Sequence, residues 1–477
     1  MDKWKIAFWV VIALASFLSL YRLGSWALLD SDEATYARVL HESRQNNNFL
    51  TFTKLGRTWI DKPPLYFWLM GGTAAFLGET EFALRLPSAL LIVATVFLVW
   101  HTALLFSQSK LTAFLSAAIL TTSGFFMFAG RQARMDIPIT FTLLLSFYCF
   151  IKGLKKPRWY IGFGTALALG ILTKSIVGLL SLPLALLTSL VYKNWTWLKN
   201  KYFWLGLPLA LLISAPWHIY QHLYYGPEFW QSYSFFVLNR IAVSFVADQP
   251  SVWYYFVRLL AEVEPWFILF FTISILFGVK SFSGKKPSPG HWLTLLSAFF
   301  FLVIFSLSKT RFMYYYVPAL PFMALFLGLT LKELVTRFSF STKLAILLPL
   351  IMIGLVDTSL HIFSPKERNF FFQSLPKITR YQVAEEEKIM GHYLAQNSLP
   401  LYAYRWNFYE TLNYYGDAPH TIDSPQMPEN PERPFLLLLP QPLVSSPKVQ
   451  TALTEYQKTG APQTIFSGNA ALLLRYN

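Results

Sequence analysis

Long apolar segments constrain this sequence more than any other feature. A helix needs roughly 20 apolar residues to cross about 30 Å of hydrocarbon. Only helices or closed barrels satisfy their backbone hydrogen bonds in lipid, and the apolar runs lack the alternation of barrel strands. The sequence therefore predicts an α-helical polytopic membrane protein with about 11 transmembrane helices. The predicted helices cover residues 6–23, 86–106, 111–129, 137–151, 159–173, 176–192, 203–220, 256–279, 291–307, 312–331 and 344–361.

Positively charged residues indicate the orientation of these helices. If the amino terminus is cytoplasmic, the inner segments hold sixteen Lys and Arg residues against Asp2 and Glu333, and nearly all of the net charge of +15 lies on that side. Lys and Arg are enriched in cytoplasmic loops. We therefore expect a cytoplasmic N-terminus and an extracytoplasmic C-terminus. This insertion bias accounts for the basic composition, so no nucleic acid is expected as a partner.

The composition divides the chain into two units. Residues 1–361 form the predicted membrane domain, and its outer loop 24–85 carries interfacial helices. Strands and helices alternate beyond this unit, which predicts a small C-terminal α/β domain over residues 375–477 on the outer face. The inner loops are short and contain no Walker or dinucleotide-binding pattern. An ATP-driven pump and an enzyme that uses a cytosolic nucleotide sugar are therefore disfavoured, and function is expected on the outer side.

Acidic residues follow the first apolar run directly. Asp30 and Glu33 match a capping box that begins a helix, whereas Asp32 has no such structural duty. A carboxylate at the membrane surface suits a general base, so Asp32 and Glu33 are candidate catalytic residues. Asp136, in a short outer turn, is a third candidate. It acts either as a helix N-cap alone or as an N-cap with a catalytic role.

Basic side chains recur at the outer helix ends, against the usual sorting of positive charge. Snorkelling lysines or weak local ion pairs would explain each one singly. The alternative is that together they surround an anionic lipid head group and offset the charge of a departing phosphate. The candidate phosphate-binding residues are Lys62, Arg131, Arg134, Lys174, Lys309 and Arg311. Tyr66 and Tyr315 are candidate contacts for a lipid chain, and aromatic packing is the alternative for both.

Few residues suggest a metal site. His218 and His222 are four residues apart near an outer helix end, a spacing that can hold a metal, but two His without further ligands are a weak signal. Asp61 is another weak candidate, and an ion pair with Lys62 explains it equally well. We therefore assign no certain cofactor and leave a divalent metal as an open alternative.

Six short motifs in this chain occur together in one known family. They are Asp32-Glu33-Ala34-Thr35-Tyr36-Ala37, Lys62-Pro63-Pro64-Leu65-Tyr66, Arg134-Met135-Asp136, Leu172-Thr173-Lys174, Pro227-Glu228-Phe229-Trp230 and Ser308-Lys309-Thr310-Arg311. In their order and predicted location the chain resembles the GT-C fold membrane glycosyltransferases. The most similar branch is the bacterial one that includes aminoarabinose lipid A transferases and dolichyl-phosphate-mannose protein mannosyltransferases.

The resemblance implies inverting transfer of a sugar from a polyprenyl-phosphate donor at the outer face of the bacterial inner (plasma) membrane. The implied acceptor is a hydroxyl or phosphate group of lipid A, another glycolipid, a polysaccharide or a protein. Asp32 matches the family's catalytic aspartate and Asp136 its second acidic position. Asp61 replaces a Glu of the aminoarabinose enzymes, and Asn239 stands where those enzymes can carry a metal-linked His. These two departures weigh against a metal and against lipid A.

Two other functional classes are consistent with such a chain. A lipid-linked sugar flippase or secondary transporter would need charges near the bilayer midplane and often shows internal symmetry. The charges here lie at helix ends, which favours the enzyme. A non-catalytic scaffold for envelope assembly is the third class. If the protein is a transferase, we expect the C-terminal domain to influence acceptor choice more than the chemical step.

Overall fold

The computed structural model describes residues 2–29, 32–242, 251–261, 265–282, 287–363, 380–397, 399–404, 410–416, 421–424, 434–457 and 461–476. The helices of residues 2–363 are α1 (Lys3–Leu20), α2 (Asp32–Gln45), α3 (Leu65–Leu77), α4 (Glu81–Ser107), α5 (Lys110–Thr121), α6 (Gly124–Gly130), α7 (Asp136–Lys155), α8 (Trp159–Lys174), α9 (Ser181–Tyr192), α10 (Lys201–Tyr225), α11 (Pro227–Ala242), α12 (Tyr254–Ala261), α13 (Pro265–Phe282), α14 (Pro289–Leu307), α15 (Leu320–Val335) and α16 (Phe340–Phe363). Short 3₁₀ segments cover Ser175–Leu180, Thr196–Lys199 and Met313–Ala319, and strands β1 (Thr53–Lys54) and β2 (Arg57–Thr58) form a hairpin.

The described helices show a multi-pass membrane protein, but they do not confirm the predicted count of eleven spans. Seven helical segments are long and apolar enough to cross a membrane. The number is eight if α5 and α6, which meet at a bend of 63°, are one span. Hydropathy alone does not reveal such breaks. The predicted span 256–279 includes parts of α12 and α13, and residues 262–264 between them lie outside the described residues.

One of the seven segments, Trp159–Tyr192, reverses direction just after Lys174. Ser175 has a φ of 49°, and the 3₁₀ segment that follows runs back along α8. A Cβ atom on Gly178 would lie 2.2 Å from the carbonyl carbon of Gly170, so only glycine allows the two backbones to approach this closely. Lys174 therefore lies at the tip of a helical hairpin.

Two apolar clusters hold the membrane domain together. The larger one packs buried side chains of α4, α5, α7, α14 and α15 against one another. The smaller cluster joins α2, α3, α4 and α10 and includes Tyr36, Tyr66, Phe67, Trp217 and Tyr233. It packs against the loops that carry the charged motifs, and it therefore holds those loops in position.

The loop between α1 and α4 is built around Glu42 of α2. The Glu42 carboxylate accepts hydrogen bonds from the Thr53 hydroxyl at 2.7 Å and from the backbone N–H groups of Leu55 and Gly56 at 2.6 and 3.2 Å, and it pairs with Arg38 at 2.7 Å. Leu55 and Gly56 both have positive φ, as the turn of a two-residue hairpin requires. Glu42 thus binds the β1–β2 hairpin to α2.

The C-terminal segment forms one five-stranded sheet with helices on both faces. Its elements are α17 (Arg380–Gln396), β3 (Leu401–Tyr404), α18 (Glu410–Gly416), β4 (Thr421–Ser424), β5 (Phe435–Pro440), α19 (Gln441–Val444), α20 (Pro447–Gln457), β6 (Gln463–Ser467) and β7 (Ala471–Tyr476). The strand order is β4-β3-β5-β7-β6, in which β3 is parallel to β4 and β5 whereas β7 is antiparallel to β5 and β6. Alternate residues of the apolar strand β5 pack toward α17 and toward α20, so this strand is buried on both faces.

Candidate functional site

Arg134 joins the two aspartates predicted to be catalytic. Its Nη2 atom lies 2.7 Å from Oδ2 of Asp32, and its Nε atom lies 3.1 Å from Oδ2 of Asp136. The side chain of Asp32 is 39% exposed, whereas that of Asp136 is only 4% exposed. Two carboxylates from distant parts of the chain therefore share one buried guanidinium, and Asp32 is the one that faces outward.

The carboxylate of Asp136 pairs with cations and does not cap a helix. Met135 occupies the N-cap position of α7 without a side-chain cap bond, and Asp136 is the first helical residue. Its second carboxylate oxygen accepts a hydrogen bond from Lys174 Nζ at 2.8 Å. Asp136 therefore holds Arg134 and Lys174 next to each other.

Aromatic faces cover the two cations. The guanidinium carbon of Arg134 lies 3.7 Å from the ring centre of Tyr314, and Lys174 Nζ lies 5.0 Å from that of Tyr315. Burial alone would lower the pKa of Arg134, but the carboxylates of Asp32 and Asp136 raise the pKa above its usual range. Arg134 therefore stays charged.

Tyr36 lies at the centre of the acidic groups. It follows Asp32 by one turn of α2, and its side chain is buried in the cluster beneath the site. Burial raises the pKa of Tyr36 well above its usual range, and the nearby charges of Asp32, Asp136 and Asp61 add to the rise while Arg134 opposes it. The Tyr36 hydroxyl is therefore neutral. The Tyr36 ring centre lies 6.3 Å from that of Trp59 and 6.2 Å from that of Tyr66, and these two residues flank Asp61 and Lys62 in the chain.

Asp61 forms an ion pair with Lys62. Lys62 Nζ lies 3.1 Å from the Asp61 carboxylate and 3.3 Å from its backbone carbonyl oxygen, and both side chains are largely buried. Asp61 thus acts as the ion-pair partner of Lys62.

Glu33 has a structural role, although it is the direct neighbour of Asp32 in the chain. Its carboxylate accepts two hydrogen bonds from Arg85 at 2.8 and 2.9 Å, and one each from the backbone N–H groups of Ala133 at 2.6 Å and Leu29 at 2.9 Å. Glu33 is 1% exposed. Because its oxygens are occupied and buried, Glu33 joins the Asp32 loop to the Arg134 turn. A catalytic role for Glu33 stays a prediction.

Tyr66 is part of the support and not a lipid contact, which corrects the prediction from the sequence. Its side chain is fully buried, and its hydroxyl lies 2.8 Å from that of Ser88. Ser88 in turn donates to the carbonyl oxygen of Arg134 at 3.0 Å. Ser88 and Arg85, one turn apart on α4, therefore hold the loops that carry Arg134 and Asp32.

Arg131 caps a helix, and its role in binding phosphate stays a prediction. Its guanidinium donates to the carbonyl oxygens of Leu18, Ser19 and Tyr21 at 2.7, 3.2 and 2.9 Å. These carbonyls end α1, where orphan acceptors need partners. Arg131 therefore joins α1 to the turn before α7.

The segment after α14 supplies one buried cation and one exposed cation. Arg311 is buried and donates to the carbonyl oxygen of Ser306 at 2.8 Å. The Tyr255 hydroxyl donates to the carbonyl oxygen of Phe312, the neighbour of Arg311, at 3.0 Å. Tyr314, three residues after Arg311, covers Arg134, so Arg311 belongs to a segment that contacts the site. Lys309 is exposed. Tyr315 is half-buried beside Lys174 and keeps part of its ring accessible, as a lipid contact requires.

The two histidines do not converge on a common point for a metal. His218 donates from Nδ1 to the Ser214 carbonyl oxygen at 2.8 Å, and its Nε2 lies 3.2 Å from the Tyr233 hydroxyl, which lies 2.6 Å from that of Ser175. His222 lies near the carbonyl oxygen of Gly226 at 3.3 Å. Across the described ranges, no three His, Cys, Asp or Glu side chains are grouped to hold a metal ion. The side chain of Asn239 lies outside the described part of the chain.

The sequence motifs did not identify several residues that shape the site. Arg85 and Ser88 lie at the edge of an apolar run, where a hydropathy pattern reads them as helix positions. Gln132 is 1% exposed, and within the described structure neither atom of its amide has a hydrogen-bond partner. Such groups are rare in native proteins and are typically satisfied by water or a ligand. In the sequence, only the position of Gln132 between Arg131 and Arg134 suggested that it belongs to the site.

Part of the chain is similar to known proteins. Residues 61–220 match the family model described as dolichyl-phosphate-mannose-protein mannosyltransferase. The chain is 28% identical over 316 residues to an undecaprenyl phosphate-alpha-4-amino-4-deoxy-L-arabinose arabinosyl transferase of Erwinia tasmaniensis, which covers 63% of this chain and 55% of that one. It is also 27% identical over 321 residues to an uncharacterized protein of Aquifex aeolicus, with coverage of 67% and 62%. The chain therefore spans less than two thirds of the length of these curated relatives.

Solved structures show the fold. The crystal structure of ArnT from Cupriavidus metallidurans bound to undecaprenyl phosphate superposes with a TM-score of 0.72 at 17% identity and covers 100% of this chain and 98% of that one. The archaeal oligosaccharyltransferase AglB from Archaeoglobus fulgidus matches with a TM-score of 0.55 at 12% identity, with coverage of 87% and 64%. The chain thus has the GT-C fold, and its predicted resemblance to the polyprenyl-phosphate-sugar glycosyltransferases of that fold is confirmed.

Proposed function

We propose that the protein is an inverting glycosyltransferase of the bacterial inner membrane, with its N-terminus in the cytoplasm and its active site and C-terminal domain outside. It transfers a sugar from a polyprenyl-phosphate donor to a hydroxyl or phosphate acceptor. The observation that carries the proposal is the placement of Asp32. The accessible carboxylate of Asp32 forms an ion pair with the buried guanidinium of Arg134, and further cations such as Lys174 lie beside this pair.

Asp32 acts as the general base in this mechanism. Arg134 holds one of its oxygens at 2.7 Å and leaves the carboxylate partly exposed toward the acceptor. Asp32 removes the acceptor proton while the acceptor oxygen attacks the anomeric carbon. The bond from that carbon to the phosphate oxygen breaks, and its electron pair leaves with the polyprenyl phosphate. A positioned base of this kind typically contributes about 10²–10⁴-fold in rate.

The cations of the site stabilise the departing phosphate. Lys62, Arg134, Lys174 and Arg311 lie at the same end of the helices as Asp32, Asp61 and Asp136, so four positive groups face three negative ones. Preorganised cations in a site with little water stabilise charge that develops in the transition state. A phosphate ester is already a good leaving group, and the mechanism therefore needs no general acid.

The donor and acceptor classes are supported by relatives and not by contacts in this chain. ArnT of Cupriavidus metallidurans was crystallised with undecaprenyl phosphate, and AglB of Archaeoglobus fulgidus with an inhibitory peptide and a dolichol-phosphate. We propose an undecaprenyl- or dolichyl-type carrier with a lipid such as lipid A, or a protein, as acceptor. The unpartnered amide of Gln132 is our candidate for a polar contact to the bound substrate.

A release assay tests this function. Purified protein in lipid nanodiscs is incubated with undecaprenyl-phosphate sugars and a panel of acceptors, and mass spectrometry follows undecaprenyl phosphate and the glycosylated product. We expect release by the wild-type protein and release slower by about 10²–10⁴-fold in Asp32→Asn. A flippase would return the donor chemically unchanged, and that result would overturn the proposal. A parallel reaction with EDTA tests whether a divalent metal is required.

A further inference from the structure

Residues 27–29, directly before the site, form a segment with no unsatisfied backbone group. Ala27, Leu28 and Leu29 are at most 2% exposed. Arg85 donates to the Ala27 carbonyl oxygen at 2.8 Å. The Leu29 N–H group donates to Glu33 at 2.9 Å, and the Leu29 carbonyl oxygen accepts from Ala34 N–H at 3.2 Å. These three bonds come from the membrane domain.

The other three backbone bonds of this segment come from the C-terminal domain. The Ala27 N–H group donates to the Glu385 carboxylate at 2.5 Å, and the Leu28 N–H group donates to the Tyr415 hydroxyl at 3.0 Å. The Thr411 hydroxyl donates to the Leu28 carbonyl oxygen at 3.1 Å. Side chains of α17 and α18 thus bind the three backbone groups of the segment that the membrane domain leaves open.

The C-terminal side chains are themselves fixed to the membrane domain. The Tyr415 hydroxyl donates to Glu81 at the start of α4 at 2.9 Å, and Lys388 pairs with the same carboxylate. Burial and the charge of Glu81 raise the pKa of Tyr415 well above its usual range, so the hydroxyl keeps its proton. Tyr415 therefore bridges α4 and the Leu28 backbone.

The segment leads directly into the helix that carries Asp32. Leu29 makes hydrogen bonds to Glu33 and Ala34 in the first turn of α2, and Asp32 belongs to that turn. A displacement of Leu28 and Leu29 would therefore move the first turn of α2 relative to Arg134. Small misplacements of a reacting group can cost about 10²-fold in rate.

We propose that the C-terminal domain positions the catalytic base, with Tyr415, Thr411 and Glu385 as positioning residues that act on Asp32 through the backbone of residues 27–29. This role rests on the proposed function of Asp32. It adds an effect on the chemical step to the effect on acceptor choice that the sequence alone predicts for this domain.

The first test separates kcat from KM. Tyr415→Phe and Thr411→Val each remove one hydroxyl with little change of shape, and we expect kcat to fall about 10–10²-fold with the donor KM within about twofold of wild type. Thr411→Ser keeps the hydroxyl and should restore kcat. Tyr393→Phe in α17 and Thr454→Val in α20 are matched controls in the same domain that do not touch the segment, and they should retain wild-type kcat. Unchanged kcat in both Tyr415→Phe and Thr411→Val would overturn the proposal.

The second test asks whether the effect passes through Asp32. If it does, adding Tyr415→Phe to Asp32→Asn should lower the residual rate no further, because mutations acting through one group are not additive. An additional drop as large as in the wild-type background would show a general structural effect and would also reject the proposal.

A third measurement needs no activity. Hydrogen exchange of the Leu28 amide should accelerate in Tyr415→Phe and not in Tyr393→Phe. If the wild-type protein releases no polyprenyl phosphate, the proposed function fails, and this exchange experiment still decides whether the contact orders the segment. Equal exchange in both variants would reject the contact itself.

Discussion

Asp32 and Arg134, separated by about a hundred residues in the chain, form an ion pair of 2.7 Å in which only the carboxylate is appreciably exposed. The guanidinium is fixed from behind by Asp136 and by the ring of Tyr314. A buried cation with a second carboxylate partner and an aromatic contact does not depend on Asp32 alone for its position. Asp32 can therefore change its protonation during a reaction while Arg134 stays in place.

Replacement of Asp32 should remove activity without unfolding the protein. In Asp32→Asn the guanidinium of Arg134 keeps its ion pair with Asp136 and its contact with the ring of Tyr314, so we expect expression and thermal stability close to wild type. The rate of undecaprenyl phosphate release should fall by about 10²–10⁴-fold, the typical contribution of a catalytic base. Single-turnover kinetics in nanodiscs and a donor-binding assay measure the two properties separately.

Asp2 provides the matched control for that change. Asp2 is the exposed N-cap of α1 and lies at the end of that helix that is remote from the site. It pairs with Lys110 of α5. Asp2→Asn should leave the release rate unchanged. Wild-type turnover in Asp32→Asn, or an equal loss in Asp2→Asn, would contradict the assignment of the base.

Arg131 should matter for stability and not for catalysis. Arg131→Met leaves three carbonyl oxygens at the end of α1 without their donor. Hydrogen bonds from charged groups contribute about 1.5–3 kcal/mol, so we expect a lower melting temperature in detergent with kcat and donor KM near wild type. A large rise in donor KM at unchanged stability would instead support the phosphate-binding role that the sequence suggested.

Gln132 should show the opposite behaviour. A buried amide without partners costs about 1–3 kcal/mol, so Gln132→Met is expected to keep or raise thermal stability. If the amide contacts the substrate, kcat/KM should fall about tenfold, the equivalent of one hydrogen bond. Gln457→Met, at an exposed site on α20, is the control and should change neither quantity. Full activity of Gln132→Met would leave the amide without a role in substrate binding.

The loop around Glu42 should loosen in acid. Burial would raise the pKa of Glu42, but hydrogen bonds from Thr53, Arg38, Gly56 and Leu55 bring it below the ordinary value of 4.5. The folded form therefore holds the proton more weakly than the unfolded form. The resulting stabilisation is fully present above pH 4.5 and is lost as the pH falls through the lower, folded pKa.

Amide hydrogen exchange of Leu55 and Gly56 measures this effect. In wild type their protection should drop in that acidic range, whereas Glu42→Gln should show weaker protection at neutral pH and little further change on acidification. Glu455→Gln in α20 is a control for a change of charge alone. An identical pH profile for Glu42→Gln and wild type would show that another group controls the loop.

The sequence predicted the participants of the site better than their roles. Charged residues at the ends of apolar helices are unusual enough to be grouped, and Asp32, Arg134, Asp136 and Lys174 do form a continuous chain of ion pairs. Arg131 and Arg134 are identical residues in one short turn, however, and only the backbone path decides which of them faces inward. Such a path depends on packing between distant segments, which no local pattern reports.

Buried pairs were the other limit of the sequence. Arg85 precedes the predicted start of an apolar run by one residue, and nothing in the chain marks it as the partner of Glu33 at 2.8 Å. The predicted count of eleven spans stays unconfirmed for a related reason. Hydropathy measures how apolar a segment is, whereas the bend between α5 and α6 depends on backbone geometry.

The contact between Gly170 and Gly178 offers a way to tune the enzyme without altering any charge. A methyl group at either position would act as a wedge between the two arms of the hairpin whose tip carries Lys174. The ammonium would then be displaced while its chemical identity stayed the same. The close approach of Gly170 and Gly178 thus helps to set the distance between Lys174 and Asp136. Side chains of increasing size at these positions would change that distance step by step.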